Sequence, residues 1–141
     1  MPKCKKIRIG LFGFGRTGAT VAHEMINAPD SELVWVVRKS HSHAGEYASR
    51  LQGLQSDEGM IHWVGDINRA FFRQNPVDVI IDFSTSETVR LYKSAVDQGT
   101  RILSAISTYS RYDLSELQKL SRKTAALHSP QPSHGLHLLP L

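Results

Sequence analysis

The chain has 141 residues, 40% of them hydrophobic and 21% charged, which suits one folded domain with its own core and excludes a disordered chain. A net charge of +4 is compatible with an acidic ligand. The basic residues are scattered, apart from Lys3–Arg8, Arg16 and Arg38-Lys39, so the dense basic face of a nucleic-acid binder is missing.

The N-terminal "MPKCKK" is basic, but "IRIGLFGFGR" behind it is interrupted by arginines, so no signal-peptide core follows. Nor does any apolar run approach the ~20 residues of a membrane span. Cys4 is the only cysteine. That rules out an internal disulfide and a C-x-x-C redox or zinc pattern, and a reducing cytoplasm fits best.

Lys6 to Phe12 reads as a strand. Gly15 to Asn27 reads as a helix with Val21, Ala22, Met25 and Ile26 on one face, stopped by Pro29-Asp30. Glu32 to Val37, "ELVWVV", is a Val-rich apolar run expected of a strand buried on both sides. The polar stretch Arg38 to Ser42 follows, then a short helix over Ala44 to Leu51, a strand over Met60 to Val64 and a short helix over Ile67 to Arg73. Val77 to Phe83, "VDVIIDF", is a further buried strand. Glu87 to Gln98 reads as a helix ended by Gly99. Arg101 to Ile106 is a fifth strand, and Asp113 to Lys123 an amphipathic helix with Leu114, Leu117 and Leu120 on its apolar stripe. Ala125 to His128 reads as a sixth strand. The alternation predicts an α/β fold, a Rossmann-type doubly wound parallel sheet in a single domain over residues 1–128. Beyond it, "HSPQPSHGLHLLPL" is too rich in proline for a long helix, and residues 129–141 are set apart as a tail. None of the histidines has a metal-ligand spacing with a third ligand nearby, so no metal is expected.

Chemistry concentrates in three places. Gly13, Gly15 and Gly18 form G-x-G-x-x-G between a strand and a helix. In a dinucleotide-binding turn the first glycine turns the chain, the second admits the pyrophosphate and the third lets helix and strand pack. The unpaired amides and positive dipole end of the helix then face the phosphates. Phe14, Arg16 and Thr17 belong to the same turn. Twenty residues past Gly18, where NAD-preferring sites carry an acidic residue, stand Arg38-Lys39. Two cations there can pair with a 2′-phosphate, and Arg16 can reach the same phosphate or stack on adenine, so NADP(H) is expected over NAD(H). The third place is "IIDFSTSE", where Phe83, Ser84 and Thr85 end a central strand. Ser86 is a candidate cap for the next helix, and Asp82 a buried carboxylate that holds the loop.

These stretches resemble the N-terminal half of dihydrodipicolinate reductase, the NAD(P)H-dependent reductase of bacterial lysine and diaminopimelate synthesis. Gly15-Arg16-Thr17-Gly18 resembles the family's G-R-M-G turn, and His43-Ala44-Gly45 its polar loop after the second strand. "DVIIDFST", Asp78 to Thr85, is similar to its D-V-V-I-D-F-T signature. The resemblance implies that Phe83 and Ser84 lie at the nicotinamide end. Ala105-Ile106-Ser107-Thr108 stands where the family has G-T-T-G, so Ala105 and Ser107 are implied as neighbours of the nicotinamide, with two glycines replaced. "SPQPSHG", Ser129 to Gly135, is similar to the A-P-N-F-S-x-G that leads into the family's second domain. That domain carries the catalytic His and Lys, so no catalytic residue is assigned here and the 141-residue chain alone is expected to show no turnover. Three readings stay open: a reductase-family protein completed by other residues, a stand-alone nucleotide-binding or regulatory module without chemistry, and a basic interaction domain without cofactor. The apolar residues Leu136, Leu138 and Leu139 suggest a homodimer through the C-terminal residues.

Overall fold

Among the residues described by the computed structural model, 5–106, 110–120, 126–128 and 137–138, seven strands form one sheet. They are β1 (Ile7–Phe12), β2 (Ser31–Arg38), β3 (Met60–Trp63), β4 (Val79–Asp82), β5 (Arg101–Ser104), β6 (Ala126–His128) and β7 (His137–Leu138). Their order is β3-β2-β1-β4-β5-β6-β7. The first six pair in parallel in the Rossmann order, and the order reverses between β1 and β4, where such sheets open a ligand crevice. β7 departs from the all-parallel expectation by pairing antiparallel with β6. The short connection between His128 and His137 cannot hold the crossover that a parallel partner needs.

Helices cover both faces. α1 (Arg16–Asn27) and α2 (Ala48–Leu51) lie on one side; α3 (Arg69–Gln74), α4 (Lys93–Asp97) and α5 (Arg111–Leu120) lie on the other. The two-residue period of the strands sends Ile9, Leu11, Leu33, Ile61 and Ile81 toward Ala22 of α1 and Ala48 of α2. Phe12, Trp35, Ile80 and Ile102 face Phe71 and Phe72 of α3, Val96 of α4, and Leu117 and Leu120 of α5. Trp35 is the hub of this second core. Its ring meets Phe12 and Phe71 edge-on, with centroids 5.5 and 5.2 Å away, and its indole N–H donates to the Asn75 carbonyl at 3.0 Å. Gly10 lies opposite Trp35 after a register shift in the β1–β2 ladder, and a Cβ there would overlap the indole.

Two expected helices are shorter than their patterns. Residues 44–47 are a turn followed by an isolated bridge between Tyr47 and Met60. His43 and Gly45 have φ of 64° and 87°, and Gly45 N–H donates to the Ile61 carbonyl, so this stretch edges β3 before α2 begins. The single helix expected over 87–98 is a 3-10 turn, Ser86–Arg90, followed by α4. Contacts at both ends hold the tight turn: Ser84 and Thr88 share a hydroxyl–hydroxyl hydrogen bond, and Arg90 Nε donates to Asp113 of α5 at 2.8 Å. Ser86 therefore sits inside the turn rather than before a helix. No helix among the described residues is long and apolar enough to cross a membrane. Cys4, Ser107 and, apart from β7, the tail 129–141 lie outside the described residues.

Candidate functional site

The glycine turn joins β1 to α1 at the sheet's reversal point. Gly13 has φ +99°, a conformation that side chains rarely adopt, and its N–H donates to the Val37 carbonyl at the end of β2. A Cβ on Gly13 would stand 3.0 Å from the Phe83 carbonyl carbon, so the end of β4 packs directly on the turn. A Cβ on Gly18 would overlap the Gly13 carbonyl, which is the close helix–strand approach expected of the third glycine. Gly15 differs from both. It occupies the N-cap of α1 without a side-chain cap, no acidic residue follows in the first turn, and nothing lies within 4 Å of where its Cβ would be. The N-cap of α1 thus borders free space in the cleft.

The second wall comes from the end of β2. Arg38 is half-buried and donates from Nη1 to the Ser42 carbonyl at 3.3 Å, while Lys39 and Ser40 are exposed. The third wall follows β4. Asp82 is fully buried, and its Oδ1 accepts from the Ser84 amide at 2.9 Å and the Ser84 hydroxyl at 2.6 Å. Burial pushes the Asp82 carboxyl up from 3.8 to about 6, against the opposing effects of the Ser84 hydrogen bonds, the Tyr92 hydroxyl and the Lys39 charge. At neutral pH the carboxylate only accepts, so Ser84 gives it its proton and Thr88 donates to Ser84. Ser84 is left to meet a ligand as an acceptor. Ala105 lies just beyond, its amide donating to the Asp82 carbonyl at 2.9 Å.

These walls enclose a cleft of about 310 Å³. Of the residues expected from sequence, Gly13, Phe14, Gly15, Arg38, Lys39, Phe83, Ser84 and Thr85 line it. Arg16 and Thr17 are exposed on the first turn of α1 outside the lining, and Gly18 is buried beneath the turn. Ser40, Val64 and Thr88 also line the cleft and were not expected. Val64 directly follows β3, so the rule that ligands lie at the carboxyl ends of parallel strands was the available signal. No Asp or Glu is among the lining residues. The Thr85 hydroxyl oxygen is buried without a hydrogen-bond partner among the described residues, as expected of a group kept for a polar ligand. A shallower groove continues from the cleft past Lys39, Thr85, Thr88, Glu87, Arg90 and Leu91.

The family model for the N-terminus of dihydrodipicolinate reductase matches residues 7–131. Among curated proteins none matches the chain. Among solved structures, the chain is similar to the dipicolinate-bound dihydrodipicolinate reductase from Paenisporosarcina sp. TG-14. Identity is 18% and the TM-score 0.62, over 89% of this chain and 47% of that one. It is also similar to myo-inositol 2-dehydrogenase from Lactobacillus plantarum, with 14% identity and a TM-score of 0.67 over 89% of this chain and 36% of that one. Amine dehydrogenase from Mycobacterium smegmatis has 18% identity and a TM-score of 0.66, over 86% and 38% of the two chains. The chain spans less than half the length of each of these structures, and at such identities the likeness is one of fold. The family match runs from the first strand of the sheet past the sixth and includes every wall of the cleft. The chain therefore belongs to the dihydrodipicolinate reductase family, of which it carries the N-terminal, dinucleotide-binding domain of an oxidoreductase.

Proposed function

We propose that the cleft binds NADP(H) in preference to NAD(H), and that the domain is the hydride-donor part of a dihydrodipicolinate reductase of lysine and diaminopimelate synthesis in the cytoplasm. The observation that supports it most is the lining at the end of β2, where two cations and no carboxylate stand beside the glycine turn. An acidic residue at that place would accept hydrogen bonds from the ribose of NAD and repel a 2′-phosphate.

The residues present fit such a cofactor. The open space over Gly15 and the partnerless Thr85 hydroxyl are what a polar, phosphate-bearing ligand would use. When bound, NADPH supplies a hydride. The chain's own part is to hold it. The first-turn amides of α1 receive the pyrophosphate, and the helix dipole favours its charge. Arg38 and Lys39 pair with the 2′-phosphate through charge-assisted hydrogen bonds. Phe83 offers an apolar face, and Ser84, locked by Asp82, accepts from a donor such as a carboxamide.

Calorimetric titration with NADPH and NADH tests the reading. NADPH is expected to bind the parent more tightly, and Arg38→Asp with Lys39→Ala is expected to narrow or reverse the preference by roughly 10- to 100-fold, one or two charge-assisted contacts. A parent that binds the two equally refutes the preference, and a parent that binds neither refutes the cleft as a dinucleotide site.

A further inference from the structure

The end of β2 at Arg38 and the loop that begins with Lys39 are held from outside the cleft by Trp63, the last residue of β3. The Trp63 indole N–H donates to the Lys39 carbonyl at 3.1 Å. His41 covers one face of the ring, stacked with centroids 3.8 Å apart and planes 28° from parallel. Gly65, two residues on, lies so close to the six-membered ring that a Cβ there would overlap it. The β2–β3 ladder sets Trp63 opposite Arg38. The ring is therefore fixed by its strand, by the following turn and by the loop it supports. Yet it does not build the core. Trp63 is half-buried, His41 is exposed, and neither belongs to the two buried clusters of the sheet.

We propose that Trp63 is a positioning residue for cofactor selectivity: stacked on His41 and held close by Gly65, it pins the Lys39 backbone and so presents the Arg38-Lys39 pair to a 2′-phosphate. The inference rests on the reading of the cleft as an NADP(H) site. The physical cause is preorganisation. A lysine on a loose loop must lose backbone and side-chain freedom when it captures a phosphate, and a loop already pinned loses less. The advantage applies only to a ligand that carries the 2′-phosphate. A purely structural tryptophan would affect both cofactors alike.

The test is calorimetric titration of the full chain with NADPH and with NADH for the parent, Trp63→Phe and Trp63→Ala. The phenylalanine keeps an aromatic ring at this position while removing the donor to Lys39 and part of the indole's bulk, so it guards against loss of folding. NADPH is expected to weaken about 5- to 10-fold in Trp63→Phe and further in Trp63→Ala, as one ordered side chain is released. NADH is expected to stay within about twofold, so the NADPH:NADH affinity ratio falls. Gly65→Ala, which displaces the ring without touching the loop, is expected to lower the ratio in the same direction. A parent that prefers NADPH, with Trp63 variants that keep the whole preference or lose both cofactors equally, overturns this inference alone. A parent without preference overturns the cofactor reading and this inference with it.

Discussion

Asp82→Asn is expected to make the domain more stable at neutral pH, and by an amount that grows with pH. Asp82 is fully buried at the end of the central strand β4, and burial lifts its carboxyl from 3.8 to about 6. Between those values the folded protein holds a proton that the unfolded chain releases. Stability from this group is therefore fully present below about pH 4 and is lost as pH rises through about 6. Each unit of pKa is worth about 1.4 kcal/mol, so the charged carboxylate lowers stability by roughly 3 kcal/mol above pH 7 relative to its neutral form. Asparagine keeps an oxygen that accepts both Ser84 donors and carries no charge to desolvate. The measurement is urea unfolding of parent and variant from pH 4 to pH 8, followed by tryptophan fluorescence, to which buried Trp35 and half-buried Trp63 both contribute. The pKa of His62 is lowered by burial against the pull of Asp66. This histidine is present in both proteins and cancels in their difference. The variant's advantage should be small at pH 4 and should widen by roughly 3 kcal/mol by pH 7. A difference that stays flat across this range, or narrows, refutes the account of Asp82 as a charge held in place against its own desolvation.

Gly15→Val fills the open space over the first turn of α1, and is expected to abolish NADPH binding in calorimetry while leaving the circular dichroism spectrum unchanged. Gly10→Ala forces a methyl group into the Trp35 indole and is expected to cost about 1–3 kcal/mol in urea unfolding, the range of core overpacking. The two glycines are five residues apart, and the contrast separates a ligand position from a packing position. A homodimer is proposed through the C-terminal residues, where β7 forms the sheet edge. Light scattering at tens of micromolar should show the mass halved on deletion of Gln131 to Leu141, and a mass that is monomeric before and after deletion refutes it.

What could be read from the sequence was what the backbone settles locally. Gly13, Gly15 and Gly18 carry their meaning within one turn, because the first must adopt a positive φ, the third must let the Gly13 carbonyl approach, and the second must leave room. The strands were legible for a similar reason, since a buried parallel strand is an apolar run wherever it occurs. Gly10 was not legible. It sits beside the motif and looks like part of it, but its partner is Trp35 on the next strand, and only the β1–β2 register brings them together. The break in the helix over 87–98 depends on Asp113 in α5, and the turn at 44–47 on pairing with β3. Neither contact leaves a periodic trace in the residues it redirects. The same division runs through the cleft. The glycine turn and "DFST" announce themselves, whereas Ser40, Val64 and Thr88 join only because the sheet order sets the ends of β2, β3 and β4 side by side. A motif comparison therefore sees the pyrophosphate turn, the Arg38-Lys39 pair and the end of β4, but not the residues that hold that pair in place. The edge past β2 is made by Lys39, the indole that holds its carbonyl, and a glycine that leaves the indole room. Each of the three is unremarkable in its own stretch of sequence, and the selectivity proposed for this edge rests on their meeting.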